Sequence, residues 1–211
     1  MYKIYTFWTD TNLMSEQRKR CLESLQKNSD VEVVLVTYEN LSSYIIEPLH
    51  PAYYYLSAVH KADYLRTYFM NFYGGGYSDI KETTSSWKES FNTLSNSDKW
   101  MIGYKEINGG VAYQPYVNEW KELIGNCAYI CKPQTPLTKE WYSEMLELLD
   151  NKLERLKLNP ATQPRDCSEA SGGKYPIEWN EMLGRIFHKI NYKHKDMVLN
   201  TLPLPKFNNY L

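Results

Sequence analysis

The chain has 211 residues, 43% apolar and 23% charged, which suits one domain with a buried core. Its formal net charge of -1 indicates a balanced surface, so neither nucleic acid nor an anionic membrane is expected as its main partner. No stretch approaches the ~18 apolar residues of a transmembrane helix, so no membrane span is predicted. The unusual feature is 19 Tyr and 6 Trp, whose flat rings with polar tips suit sugar and base contacts as well as a core.

The N-terminus and the cysteines favour a cytoplasmic location. Residues 1–8 lack the basic start and apolar run of a secretory signal. The four cysteines follow no zinc-binding spacing, and we interpret them as reduced thiols. Residues 202–205 resemble the start of a linker. We therefore expect that residues 1–211 form a single catalytic domain, which could be excised in this sequence from a longer chain.

The first elements predict an α/β fold. Residues 2–8 are β-rich and predict a strand, and a helix follows from an N-cap at Ser15 to about Lys27. Residues 31–37 are a continuous β-branched run, typical of a strand covered on both faces. Strand, helix and strand in this order begin a parallel sheet flanked by helices.

The rest of the chain continues this pattern. A long helix is predicted over residues 58–73, and Gly74 would end it because glycine accepts the left-handed conformation. A polar segment with two prolines and two glycines, residues 159–173, predicts a mobile loop. The remaining predicted strands are residues 77–80, 99–104, 127–132 and 197–199, and the remaining helices are residues 86–94, 138–156 and 177–190.

Two charged residues of the long helix are candidates for a functional site. Asp63 and Arg66 are three positions apart and therefore neighbours on the helix surface. Arg66 falls inside the apolar stripe, where a guanidinium is costly unless it is paired or meets a ligand. An internal ion pair that locks the helix and a contact with a bound ligand both fit this pattern.

Asp79 follows three glycines that allow the backbone to turn sharply and approach a ligand closely. It would stand at the carboxyl end of a short strand, where α/β folds bind ligands. A carboxylate there can hold a divalent cation that bridges two phosphates, since hard cations prefer oxygen. The alternative is an aspartate that caps a turn or a helix.

Residues 62–66 (ADYLR) and 75–81 (GGYSDIK) resemble the donor site of glycosyltransferases with a DXD motif, in which Ala-Asp-x-x-Arg precedes Gly-Gly-x-Tyr-x-Asp-x-Asp. Capsular polysaccharide transferases, Och1-type mannosyltransferases, the large clostridial glucosylating toxins and a compact domain of chlorella viruses share this order. A weaker similarity reaches residues 4–8 (IYTFW) and 124–133. The resemblance implies a GT-A-type fold with a central, mostly parallel mixed sheet, and hexosyl transfer from a nucleotide sugar. A viral origin would imply the host cytoplasm.

The end of the first strand would bind the nucleotide. By the resemblance, Trp8 would stack on the uracil of a UDP-sugar, with Thr6 and Phe7 beside it. Tyr38, at the end of the second strand, would reach the base or ribose. UDP-glucose and UDP-rhamnose are the first donors expected, and a glycan, carried by a glycoprotein or a polysaccharide, is the expected acceptor.

The resemblance also assigns roles to the motif residues. Asp63 would accept hydrogen bonds from sugar or ribose hydroxyls, and Arg66 would contact the donor sugar or phosphates. Asp79 would bind Mn²⁺ or Mg²⁺ or the ribose, and Ser78 is counted with the donor-binding residues. The family's second DXD aspartate is Lys81 here, and a charged lysine cannot ligate a cation. A strict metal requirement is therefore in doubt: either the cation would rest on Asp79, water, the diphosphate and a further group, or Lys81 would replace part of its charge. Asp79, Arg66 and Lys81 are the candidates to stabilise the leaving diphosphate.

Two further questions stay open in the sequence. An inverting enzyme needs a carboxylate that deprotonates the acceptor, whereas a retaining enzyme does not. A domain that binds a nucleotide sugar or glycan without turnover is the alternative, favoured by Lys81, while no Walker A loop or dinucleotide fingerprint supports a hydrolase. Candidates for the base are Glu178, Glu181 and Asp166, and candidates for late metal ligands are His188 and His194.

Overall fold

Six strands form one mixed sheet in the computed structural model of the chain, which describes residues 1–207. The strands are β1 (Lys3–Trp8), β2 (Glu32–Thr37), β3 (Gly75–Ser78), β4 (Met101–Lys105), β5 (Ile124–Cys131) and β6 (Val198–Leu199). The α-helices are α1 (Glu16–Asn28), α2 (Ala58–Phe72), α3 (Lys88–Ser95), α4 (Pro136–Leu158) and α5 (Ile186–Lys193). One π-helical turn, Glu181–Arg185, leads directly into α5.

The sheet has the order β2-β1-β3-β5-β4-β6. Strand β1 runs parallel to β2 and β3, whereas β5 runs antiparallel to β3 and β4, and β6 runs parallel to β4. The carboxyl ends of β1, β3 and β4 and the amino end of β5 therefore lie at the same end of the sheet. The expected α/β fold with a mostly parallel mixed sheet is confirmed.

The sheet separates two hydrophobic clusters. Alternate residues of β1 show this: Tyr5 and Phe7 belong to the larger cluster, and Ile4 belongs to the smaller one. Helices α2, α4 and α5 supply the larger cluster, while α1 and α3 supply the smaller one. Helix α2 is buried over much of its surface, so even Asp63 and Arg66 lie inside the protein.

Helices α1 and α2 begin and end within about one residue of the bounds that the sequence predicts. Ser15 and Ser57 cap α1 and α2 through their hydroxyl groups, and Thr135 forms a capping box with Thr138 at the start of α4. Gly74 follows α2 with a φ of +64°, and a Cβ atom there would lie 2.5 Å from the ring of Pro133. Glycine therefore sets both the end of α2 and the entry into β3.

Three predicted elements differ from the structure. Strand β2 lies at the sheet edge, and only Val36 in it is fully buried, so its apolar run does not mark a strand covered on both faces. Strand β3 ends at Ser78, which leaves Asp79 in the segment that follows it. The last predicted helix is a π-helical turn and α5, starting at Glu181. No helix in residues 1–207 is long and apolar enough to cross a membrane.

Candidate active site

A cavity of about 530 Å³ opens at the end of the sheet where β1 and β3 end and β5 begins. Its walls come from the end of β1, from α2, from the segment after β3, from the start of β5, and from residues 164–165 and 179–184. This size is typical of small-molecule sites, and the carboxyl ends of the strands are where α/β folds bind ligands. A hollow of about 250 Å³ lies at the opposite end of the strands, beside Gly75 and Lys132, and no carboxylate of residues 1–207 lines it.

Two acidic and two basic side chains lie together on one wall of the cavity, and Asp10, Arg18 and Arg165 line it elsewhere. Helix α2 supplies Asp63 and Arg66, and the segment after β3 supplies Asp79 and Lys81. Asp63, Arg66 and Lys81 are 4%, 7% and 4% exposed. Charges buried to this degree are tolerated only when they are paired, and here the two signs are in contact.

Arg66 connects the helix to two strands of the sheet. Its Nη2 lies 3.1 Å from Oδ1 of Asp63 and 3.3 Å from Oδ1 of Asp79. Its Nη1 donates a hydrogen bond of 2.9 Å to the carbonyl oxygen of Asn126, and the guanidinium lies 4.2 Å from the ring centre of Tyr77. The ion pair with Asp63 is thus part of a larger network on the cavity wall.

Asp79 accepts contacts on both carboxylate oxygens. The hydroxyl of Tyr77 donates to Oδ1 over 2.5 Å, and the ammonium of Lys81 contacts Oδ2. Burial alone would raise the pKa of Asp79, but the charges of Lys81 and Arg66 outweigh burial and hold this pKa well below its usual range. Asp79 is therefore ionised at neutral pH. For Asp63 the balance is reversed, because burial raises its pKa against the opposing charge of Arg66.

The described residues do not fit a divalent cation at Asp79. Oδ2 of Asp79 already contacts the ammonium of Lys81, and Arg66 lies against Oδ1. Residues 1–207 contain no group of three or more His, Cys, Asp or Glu side chains that could hold a metal ion. The thiol of Cys127 lines the cavity, but burial, together with the nearby charge of Asp79, raises its pKa to about 12 and keeps it neutral.

The end of β1 forms another part of the cavity wall. Thr6, Phe7 and Trp8, which the sequence predicts to lie beside the base, all line it. Phe7 is 7% exposed and stacks on Tyr77 with ring centres 5.8 Å apart, so its ring belongs mainly to the core. Trp8 is half-buried, and its Nε1 donates to the carbonyl oxygen of Asn12 over 2.8 Å, which fixes the indole at the cavity.

Two of the predicted donor-binding residues do not line the cavity. Tyr38 follows β2 and is 71% exposed. Strand β2 lies on the far side of β1 from β3, which explains this position. Ser78 is 1% exposed, and its hydroxyl donates to the carbonyl oxygen of Asp79 over 2.8 Å. Because neighbouring strand residues face opposite sides of a sheet, Ser78 lies away from the ring of Tyr77.

The candidate bases have partners elsewhere. Glu178 pairs with Arg185, Glu181 pairs with Lys152 at 2.9 Å, and Asp166 accepts hydrogen bonds from backbone N–H groups of its own loop. Among the described residues that line the cavity, none of these three carboxylates appears.

The two late histidines are also engaged in pairs. His188 is fully buried with Nε2 at 3.0 Å from Glu106, and its Nδ1 accepts from the backbone of Ala112. His194 lies 2.7 Å from Glu140. Neither histidine lines the cavity within residues 1–207, so the predicted metal-ligand role has no support at this site.

Several polar and aromatic residues of the cavity were not predicted to belong to the site, among them Arg18, Asn126, Arg165 and Trp179. Arg18 of α1 donates to the carbonyl oxygen of Ile80 over 2.8 Å, and Asn126 begins the β5 wall. Arg165 stacks on Trp179, with the guanidinium 3.8 Å from the ring centre. No local pattern marks Arg18, Asn126 or Arg165, because tertiary packing brings them together. A tryptophan between polar residues, as at position 179, is a signal that could have been used.

Comparison with known proteins agrees with the fold. A solved structure titled "PaToxG Glycosyltransferase" matches with a TM-score of 0.53 at 12% identity, over 92% of this chain and 68% of that chain. At such low identity the match concerns the fold, and it confirms the expected glycosyltransferase-type architecture. No curated protein matches the chain. The family model described as "Capsular polysaccharide synthesis protein" matches residues 1–151, which include Trp8, Arg66 and Asp79, and the chain belongs to that family.

Proposed function

We propose that this protein is a glycosyltransferase that moves a hexosyl unit from a UDP-sugar to a hydroxyl group of a glycan acceptor. UDP-glucose and UDP-rhamnose are the first donors proposed, and the acceptor is a glycan on a glycoprotein or polysaccharide. A single catalytic domain over residues 1–211, of which 208–211 lie outside the described part, belongs to the same proposal. The observation that carries it is one cavity that combines the indole of Trp8 with the two cationic groups of Arg66 and Lys81, both of which contact Asp79.

The nucleotide would occupy the end of β1. A base presents a flat π face, and the indole of Trp8 is held in place by its hydrogen bond to Asn12. Stacking of this kind does not depend strongly on the identity of the base. The preference for uracil therefore belongs to the proposal and needs a direct test.

The diphosphate would lie along the charged wall. Arg66 and Lys81 both line the cavity, and charge-assisted hydrogen bonds to phosphate are stronger than neutral ones. Arg18 lines the same cavity from α1 and supplies a third cationic side chain. Asp63 would accept hydrogen bonds from sugar or ribose hydroxyl groups.

The reaction breaks the bond between the anomeric carbon and the diphosphate oxygen, and the electron pair stays on that oxygen. A new bond joins the anomeric carbon to the acceptor oxygen, and the products are the glycosylated acceptor, UDP and the proton of the acceptor hydroxyl. The protein would hold both reactants in position and stabilise the negative charge that grows on the diphosphate. Arg66 and Lys81 carry the second task, and Asp79 holds both of them in place.

The Mn²⁺ or Mg²⁺ expected at Asp79 stays an untested prediction that the described side chains there do not favour, and no step of this reaction depends on it. Viral origin and cytoplasmic location also stay predictions. A domain that binds a nucleotide sugar without turnover is the second candidate. It is favoured by the fact that the carboxylates of both Asp63 and Asp79 are paired with cationic side chains.

Calorimetric titration tests the donor class. The purified protein is titrated with UDP, UDP-glucose and GDP-mannose, each with EDTA and with Mn²⁺. Binding of UDP and the UDP-sugar, with much weaker binding of GDP-mannose, supports the proposal, and binding of no nucleotide contradicts it. Incubation of the bound UDP-sugar with glycan acceptors then separates the two candidates, because only a transferase releases UDP together with a glycosylated product.

A further inference from the structure

We propose that Lys81 supplies the positive charge that a divalent cation would otherwise provide, so that the protein binds its nucleotide diphosphate without a metal ion. This inference rests on the proposed function, since it concerns how the diphosphate of that donor is held. It follows from three features of the cavity wall, namely the contact between Lys81 and Asp79, the sum of the buried charges, and the scarcity of metal-binding groups.

The first feature is the position of the ammonium. Lys81 lies two residues after Asp79, and its side chain, 5% exposed, contacts Oδ2 of that carboxylate while lining the cavity. The backbone N–H of Lys81 donates to the carbonyl oxygen of Asp79 over 2.7 Å, and Arg18 holds the intervening carbonyl of Ile80. The ammonium is therefore fixed at the carboxylate to which a cation would bind.

The second feature is the charge of the cluster. With both carboxylates ionised, the charges of Asp63 and Asp79 and those of the cationic groups of Arg66 and Lys81 sum to zero before any ligand binds. With an aspartate at position 81 the sum would be minus two, which a divalent cation would restore to zero. The exchange of aspartate for lysine thus changes the local charge by the amount that the cation contributes.

The third feature is the weakness of this site as a metal site. A cation at Asp79 would have to displace Lys81 from Oδ2 and would lie close to a second positive charge on Arg66. Residues 1–207 offer no group of three acidic, histidine or cysteine side chains there. A cation on a nucleotide diphosphate is held by one or two carboxylates together with phosphate and water oxygens, and here the carboxylate of Asp79 is already shared with two cationic side chains.

A buried lysine suits the diphosphate. An ammonium is a compact point charge with three N–H donors, and lysine is a common ligand of phosphate groups. Because Lys81 and Arg66 lie on either side of Asp79, a diphosphate that enters the cavity meets both cations along one wall. The charge that develops on the departing UDP would then be stabilised by residues of the protein alone.

Titration of UDP into three proteins, each with EDTA and with saturating Mn²⁺, tests this inference. The wild-type protein is expected to bind UDP with the same affinity in both conditions. Lys81→Met is expected to bind about ten- to a hundredfold more weakly in both, the range for a lost charged hydrogen bond. Lys81→Asp is expected to bind weakly with EDTA and to recover with Mn²⁺, since it restores a pair of carboxylates.

Lys132→Met is the matched control. It removes a partly buried lysine far from the cavity, at the opposite end of the sheet, whose Nζ donates to the carbonyl oxygen of Ser97. It should leave UDP affinity unchanged. Thermal unfolding of each variant checks folding, and Mn²⁺ should raise the melting temperature of Lys81→Asp but not of the wild type. Wild-type binding of UDP that requires Mn²⁺ would overturn this inference alone. Binding of UDP in neither condition would overturn the proposed function as well.

Discussion

Arg66 and Asp79 form an ion pair across the junction between α2 and β3, with Nη2 of the arginine 3.3 Å from Oδ1 of the aspartate. The two residues lie on different elements, and Gly74 and its neighbours make the tight connection that brings the elements together. Asp79 in turn contacts Lys81 and Tyr77. This carboxylate is therefore the common partner of a network that both stabilises the fold and shapes the cavity.

We expect Asp79→Asn to lower the free energy of unfolding by about 3 kcal/mol at neutral pH, because it leaves two buried cations without their shared partner. The pKa of Asp79 is lower in the folded protein than its ordinary value of 3.8, so its contribution to stability is present above that value and is lost as the pH falls further. Urea unfolding at neutral pH and at about pH 3 measures this, and the difference from wild type should shrink in acid. Asp98→Asn, at a side chain 79% exposed, is the control. A difference that does not change with pH would rule out the carboxylate charge as its cause.

Much of the site followed from local sequence. The three-residue spacing of Asp63 and Arg66 fixes their proximity on any helix, and the glycines before Asp79 fix a sharp turn. The end of β1 was also predictable, since a β-rich run ending in Trp8 places that residue at the sheet edge. These features depend on residues that are close along the chain, which is why they could be found without a structure.

Other features depend on contacts between distant parts of the chain. The apolar run of β2 predicted a strand covered on both faces, but the strand order makes β2 an outer strand that is only partly buried, and this also moves Tyr38 away from the cavity. Arg18 and Trp179 reach the cavity from α1 and from the segment before the π-helical turn, 161 positions apart in sequence. The two-residue spacing of Asp79 and Lys81 allowed a contact between them on one face of a strand, but the burial of Lys81 depends on the fold.

Trp8→Ala should weaken UDP binding by about 1–3 kcal/mol, because the indole would no longer stack on the base. Trp8→Phe should retain part of the affinity, since a smaller ring remains although the hydrogen bond to Asn12 is lost. Calorimetric titration with UDP measures both variants. Trp120→Ala, at a tryptophan that does not line the cavity, is the control. UDP affinity that stays at the wild-type level in Trp8→Ala would make Trp8 a packing residue only.

Trp179 is expected to contact the sugar rather than the nucleotide. It is 50% exposed at the cavity, with the guanidinium of Arg165 stacked on its ring, and it comes from a different segment than Trp8. Trp179→Ala should weaken the UDP-sugar by about 0.5–1.5 kcal/mol, the worth of one aromatic contact, and leave UDP itself nearly unchanged. Parallel titrations with UDP and UDP-glucose give this difference. Equal losses for both ligands would place Trp179 at the nucleotide instead.

The segment of residues 159–173 is expected to close over the bound donor, and Cys167 offers a direct way to observe it. Cys167 is exposed, whereas Cys21 and Cys131 are buried and burial raises the pKa of Cys127 to about 12, so a thiol reagent at neutral pH should modify Cys167 first. The segment touches α2 through the carbonyl oxygen of Pro164, which accepts from the backbone N–H of Val59 over 3.3 Å, next to the cavity.

Labelling of Cys167 should therefore slow several-fold in the presence of saturating UDP-sugar, because closure of a loop over a ligand protects its side chains. Mass spectrometry after timed labelling identifies the modified residue, and Cys167→Ser provides the background rate from the other thiols. UDP without the sugar separates closure around the nucleotide from closure around the whole donor. If the labelling rate is the same with and without the UDP-sugar, although titration shows the donor to be bound, the segment does not act as a lid. Cys167 would then lie on a loop whose position is independent of the ligand.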